Sequence, residues 1–181
     1  INEKKALYEI RVNWKNKEST LNYTIEYELW LREKLIKTGS KKLDKGIYST
    51  LTLQDSTSSP KLWTPENPTL YQLVVRLKNK EGEIVDELSQ NVGFKWVGIN
   101  EKNEFLLNGK PYKLKGASRH QDYKNIGNAL SDGMLVRDIE LMKGMGCNFL
   151  RIAHYPQDPA IYDACDRLGL ITWSEIPVVD K

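Results

Sequence analysis

The feature that most constrains this chain is a change of hydrophobic rhythm close to residue 100. Before it, apolar residues recur at every second position. Tyr8, Ile10, Val12 and Trp14 alternate with Glu9, Arg11 and Asn13. Leu21, Tyr23, Ile25, Tyr27, Leu29 and Leu31 keep the same period, as do Ile47, Leu51 and Leu53 with Ser49, then Tyr71, Leu73, Val75 and Leu77. Val92, Phe94 and Trp96 form one more such run, and Ile84 to Leu88 a weaker one. A period of two puts one apolar face on each strand, the pattern of half-buried antiparallel sheets. The stretches between them, "NWKNKEST", "KTGSKKLDKG", "QDSTSSPKLWTPENP" and "KNKEGE", are rich in turn residues and read as separators. Several short strands within about a hundred residues predict a two-sheet sandwich of immunoglobulin type. The Cys-Trp-Cys spacing of antibody domains is absent, so the expectation is of architecture only, with a barrel as the alternative.

After residue 100 the pattern becomes β-α-β-α-β. Phe105–Leu107 and a second arm, Tyr112 to Ala117, read as a hairpin about Asn108-Gly109. Ser131-Asp132 offers a helix start, and Leu135, Ile139 and Met142 follow at helical spacing until Gly144 or Gly146. Cys147 to Ala153 is nearly continuous apolar sequence, as in a strand covered on both faces. Asp158 with Pro159 caps a second helix, lined by Ile161, Ala164, Cys165 and Leu168 and ended by Gly169. Leu170 to Trp173 is a third strand. Strands alternating with helices over short links predict a parallel sheet.

In such a unit the chemistry gathers at the carboxyl ends of the strands. His120 follows the first strand, His154 the second and Glu175 the third, and Arg151 lies in the second. The chain has only two histidines, and both fall at strand ends. For each residue there is a plainer reading: a hydrogen-bonded core histidine, an arginine in a structural ion pair, an acid after a strand. Three coincident strand ends favour function over accident.

Composition narrows the partners. With 27 Lys and Arg against 24 Asp and Glu the net charge is +3, and no basic block stands out, so a nucleic-acid partner is not expected. No apolar run is long enough for a membrane span. Two cysteines, Cys147 and Cys165, supply neither a disulfide framework nor a metal set and are expected as free thiols. No cofactor is expected. The chain begins at Ile1, without a signal-peptide pattern, directly before strand-like sequence, and is expected to be a piece of a longer protein.

The segments "LWTPENPTLYQLVVRL", "VGFKWVGI", "FLLNGKPYKLKGASRHQD" and "LVRDIELMKGMGCNFLRIAHYPQDPAIYDACDRLGLITWSEIP" resemble glycoside hydrolase family 2, the family of β-galactosidases, β-glucuronidases and β-mannosidases. The resemblance is strong from about residue 60 to 181 and architectural before that. It implies a multidomain β plus α/β protein: an immunoglobulin-like β-sandwich over 1–98, then over 99–181 the first three strands of a truncated (β/α)8 barrel. It implies that His120 stands near the sugar hydroxyls and His154 at the sugar-binding subsite, that Arg119 is a neighbouring structural or site arginine, that Glu175 orients other groups, and that Arg151 lies close to the nucleophilic carboxylate. Such an arginine would keep a neighbouring carboxylate ionised.

Two positions depart from the family pattern. Ser118 stands where members often have Asn. Val179 stands where some β-galactosidases carry a magnesium-binding glutamate, so no metal site is expected. Family members retain anomeric configuration with a pair of glutamates, one of them in an Asn-Glu pair. The two Asn-Glu pairs here, Asn2-Glu3 and Asn103-Glu104, lie outside barrel context. The catalytic pair is therefore expected beyond Lys181. The expected function is part of a retaining exo-β-glycosidase, with a β-galactoside the leading substrate, inactive as this segment alone. The alternative is a non-catalytic sandwich scaffold or carbohydrate-binding module. Self-association through exposed barrel edges is expected, because three strands do not close a barrel.

Overall fold

The structure, a computed structural model, describes residues 1–15, 22–43 and 48–178. Leu21, Ile47 and Val179, named above, lie outside the described residues. The chain divides into two compact units: Ile1–Lys61 with Leu70–Phe94, and Leu62–Thr69 with Lys95–Lys181.

The first unit is built of two antiparallel sheets. Strand β1 (Lys5–Lys15) pairs with β4 (Tyr48–Ser58) along its whole length. The second sheet has the order β3 (Lys34–Lys42), β2 (Thr24–Leu31), β5 (Tyr71–Lys78), β6 (Ile84–Val92). The period of two places Ile25, Tyr27 and Leu29 of β2 on the buried face, with Ile10, Leu51, Tyr71, Val74 and Phe94 also buried. One polar network reaches from this face toward solvent, with Lys37 and Asp55 partly exposed. The Tyr27 hydroxyl donates to Asp55, and Lys37 Nζ lies 2.9 Å from the same carboxylate. Burial alone would push the Asp55 carboxyl up, but these two partners hold it below its ordinary value.

Two expectations for this unit are corrected. Most of "KTGSKKLDKG" is not a separator: Lys37 to Lys42 belong to β3, and the reversal is the tight Arg32-Glu33 turn before it. Gly39, which reads as a turn residue, lies instead opposite Tyr27, where a Cβ would come within 2.6 Å of the ring. Glycine is there for close approach. Val92, Phe94 and Trp96 are likewise not one strand. Val92 ends β6, Phe94 packs edge-on against Tyr71 at 5.0 Å between ring centroids, and Trp96 belongs to the other unit. The weak run at Ile84 is a full strand, paired with β5 along its length.

The second unit opens with a small antiparallel sheet of β7 (Val97–Ile99), β8 (Phe105–Leu107) and β9 (Lys110–Pro111). Asn108 and Gly109 have φ of 51° and 80°, the left-handed pair that a two-residue hairpin turn requires. The expected long second arm is two elements. Pro111, which has no N–H to donate, ends β9, and β10 (Gly116–Arg119) starts afresh in another sheet. That sheet is parallel, in the order β10, β11 (Phe149–Ile152), β12 (Ile171–Ser174). Helix α1 (Asp132–Gly144) links the first two strands and α2 (Pro159–Leu168) the last two. Asp158 caps α2 by accepting from the Ala160 N–H at 2.9 Å, and Gly169 ends it at φ 79°. Leu135, Ile139 and Met142 of α1, Ile161, Ala164 and Cys165 of α2, and Leu150 and Ile152 of β11 form the buried core between helices and sheet. Both cysteines are free thiols, and burial pushes the Cys165 thiol up to about 12.

Leu62–Thr69 is part of this core's surroundings. Trp63 is 1% exposed and its Nε1–H donates to the Asp166 carbonyl at 2.8 Å. Lys143 Nζ donates to the carbonyls of Pro65 and Gly169 at 2.8 and 2.9 Å. A segment read from the sequence as a turn before a sandwich strand is thus fastened to the α/β unit.

Candidate functional site at the carboxyl rim of the parallel sheet

Register decides which side chains meet. Ser118, Arg151 and Trp173 stand in one row across β10, β11 and β12, and Arg119, Ile152 and Ser174 in the next. Successive residues of a strand face opposite sides. The second row is the helix side: Ile152 is fully buried in the core, and the Ser174 hydroxyl meets the Tyr162 hydroxyl of α2 at 2.9 Å. The row of Arg151 therefore faces away from the helices.

On that face Arg151 joins the ends of all three strands. Its Nε and Nη2 donate to Oε1 and Oε2 of Glu175 at 2.6 and 3.2 Å, a forked pair. Its Nη1 reaches the Ser118 hydroxyl at 3.5 Å. His154 Nδ1 lies 2.9 Å from Glu175 Oε2 and 3.2 Å from Arg151 Nη2. The ring of His120 stands 5.4 Å from that of His154, centroid to centroid, and 6.2 Å from the Tyr155 ring. The hydrogen bond from Arg151 holds the Glu175 carboxyl below its ordinary value, against a smaller opposing effect of desolvation and with help from His154. Glu175 is thus an ionised acceptor with both oxygens engaged. His120, Arg151, His154 and Glu175, from three separate strand ends, form one polar cluster, while Trp173 in the same row is exposed.

Arg119 does not join them. It is 8% exposed, on the helix side, where Nε and Nη2 donate to Asp138 Oδ2 at 3.0 and 2.8 Å. Its Nη1 donates to Gln157 Oε1 at 2.7 Å. Gln157 in turn donates from Nε2 to the Arg119 carbonyl at 2.7 Å, so the ends of β10 and β11 are tied together from beneath. One residue of strand register separates this structural arginine from the exposed His120.

Sequence reasoning missed Asp138 and Gln157. Asp138 follows Leu135 by three and precedes Met142 by four, so an acid on the flank of the buried stripe of α1 was visible in the spacing. Gln157 lies in a loop and follows no periodicity. Ser118 appeared only as a departure from a pattern; here it is the β10 partner of Arg151.

Residues 1–95 match the family model "Glycosyl hydrolases family 2", and residues 97–180 match "Glycosyl hydrolases family 2, TIM barrel domain". A β-galactosidase of Pseudoalteromonas haloplanktis is 39% identical over 144 residues, 78% of this chain and 14% of that protein. A β-glucuronidase of Bacteroides fragilis is 41% identical over 121 residues, 66% of this chain and 17% of that protein. The crystal structure of a Bacteroides uniformis β-glucuronidase superposes with a TM-score of 0.92 at 38% identity, over 98% of this chain and 22% of that one. The chain therefore spans only 14 to 17% of the length of these two relatives. Within that span, both of its halves carry the family's sequence and fold, and the chain belongs to family 2 of the glycosyl hydrolases.

Proposed function

We propose that this chain is the sandwich and first barrel strands of a retaining exo-β-glycosidase, and that His120, Arg151, His154 and Glu175 line its sugar subsite. The observation that carries the reading is the convergence of these four side chains at the carboxyl ends of three parallel strands in a family 2 chain. In a retaining mechanism one carboxylate attacks the anomeric carbon and a second, protonated, assists the leaving group. Glu175 suits neither task. Both its oxygens are taken and its carboxyl is held low, whereas a general acid must keep its proton near neutral pH. The catalytic pair would come from later barrel strands. Arg151 then supplies positive charge beside an incoming carboxylate, and the two imidazoles supply hydrogen-bonding groups for hydroxyls.

A β-galactoside is the substrate first proposed, and a β-glucuronide the second reading, supported by the glucuronidases among the relatives and solved structures. The test uses a polypeptide extended to the length of the relatives, assayed on 4-nitrophenyl β-galactoside, β-glucuronide and β-mannoside. Turnover of one of them with the β-anomer as first product, read by proton NMR, is expected. No turnover of any, or an inverted product, contradicts the reading. The same proposal includes self-association of the isolated chain through the edges of β10 and β12, which are unpaired among the described residues. Size-exclusion chromatography showing a monomer at high concentration contradicts that part.

A further inference from the structure

We propose that Glu175 is a positioning residue that pins the ring proton of His154 on Nδ1, so that Nε2 meets the sugar as a hydrogen-bond acceptor for a hydroxyl group. The inference deepens the functional reading above and rests on it for the identity of the ligand.

Two donor-bearing groups converge on one oxygen of Glu175. Glu175 Oε2 lies 2.9 Å from His154 Nδ1 and 3.2 Å from Arg151 Nη2. A guanidinium only donates and an ionised carboxylate only accepts. Arg151 Nη2 also lies 3.2 Å from His154 Nδ1. Were Nδ1 without a proton, it would accept from Arg151, but its lone pair would then face that of Oε2 at 2.9 Å. With the proton on Nδ1, the imidazole and the guanidinium lie side by side as donors to one oxygen, and no lone pairs oppose each other. Glu175 is held ionised, which favours this arrangement. A neutral imidazole protonated on Nδ1 has its lone pair on Nε2. The exposed ring then presents an acceptor outward, and an acceptor suits the O–H of a sugar rather than a carboxylate, which has no hydrogen to give. On this account His154 reads a hydroxyl, and a uronate carboxyl, where the substrate has one, is bound by other groups.

Substitution by glutamine is a sharp test because the shape is kept. The shortest contact is Arg151 Nε to Oε1 at 2.6 Å, and it demands an oxygen. The amide nitrogen of Glu175→Gln is then turned toward His154, and Nδ1 must accept from it. The ring proton moves to Nε2.

The experiment is a long-range 1H–15N correlation on the 15N-labelled 181-residue chain at alkaline pH, where imidazoles are neutral. Only two histidines contribute, and the His120→Gln spectrum assigns them. The expected result is His154 with its proton on Nδ1 in the wild type and on Nε2 in Glu175→Gln. Glu175→Ala, which removes both acceptors, is expected to give the Nε2 form that free histidine prefers. A wild-type His154 protonated on Nε2 overturns the proposal, as does a Glu175→Gln variant that keeps its proton on Nδ1. The tautomer is read without substrate, so this outcome and that of the turnover assay are distinguishable.

Discussion

Arg151 grips Glu175 with two roughly parallel bonds, one from Nε and one from Nη2, across the boundary between β11 and the end of β12. The geometry depends on a planar fork, which lysine lacks. The Arg151 side chain is 41% exposed, so the pair is partly screened and contributes little to stability. Arg151→Lys is expected to melt within a few degrees of the wild type while losing at least tenfold in kcat/KM in the extended enzyme. Thermal denaturation and steady-state kinetics check the two halves of this statement.

The pH dependence of the pair has a definite sign. Glu175 in the folded chain titrates below its ordinary value of 4.5. Its contribution is fully present above that pH and is lost as pH falls through the folded value. The stability difference between wild type and Glu175→Gln is expected to shrink as the pH falls below about 4.5. Urea midpoints measured on both proteins across this range give the answer. A difference that widens as the pH falls below about 4.5 contradicts the assignment of Glu175 as an ionised acceptor.

Gln157 is a buried polar residue whose amide accepts from Arg119 Nη1 and donates to the carbonyls of Arg119 and, at 3.4 Å, Ala153. Gln157→Ala leaves an Arg119 N–H and the Arg119 carbonyl without it, and is expected to cost about 1–3 kcal/mol. Chemical denaturation measures the loss.

Trp63 sits in turn-like sequence, yet its 1% exposure and its bond to the Asp166 carbonyl make it a core anchor. Trp63→Ala is expected to destabilise the α/β unit by roughly 3–5 kcal/mol. Equilibrium unfolding followed by far-UV circular dichroism tests this. A variant of wild-type stability contradicts it.

The sequence was most readable where a local rule acts alone. The alternation from Tyr8 to Trp14 and from Tyr71 to Leu77 became β1 and β5, and the capping residues of α2 sit where Asp158, Pro159 and Gly169 predict. It misled where a residue type serves two ends. Gly39 carries a turn residue's preference but answers to the ring of Tyr27 across the sheet, a contact at long range in sequence. Trp63 and Pro65 sit in turn-like sequence, yet their partners Asp166, Lys143 and Gly169 lie about 80 to 100 residues on. In the site, strand order and length brought His120, His154 and Glu175 to one rim. The separation of Arg119 from them was not legible, because it depends on a single step of register that composition does not encode.

The central claim is that the strand-end cluster binds sugar while the arginine beneath it only holds the scaffold. Its most direct test is kinetic: kcat/KM of His120→Ala, His154→Ala and Arg119→Lys in the extended enzyme, each beside its unfolding midpoint. The account predicts a fall of about 100-fold or more for each histidine variant at near wild-type stability, a loss of about 2.7 kcal/mol of transition-state binding. It predicts a lower unfolding midpoint with kcat/KM largely kept for Arg119→Lys. Histidine variants that turn over substrate at the wild-type rate would contradict it.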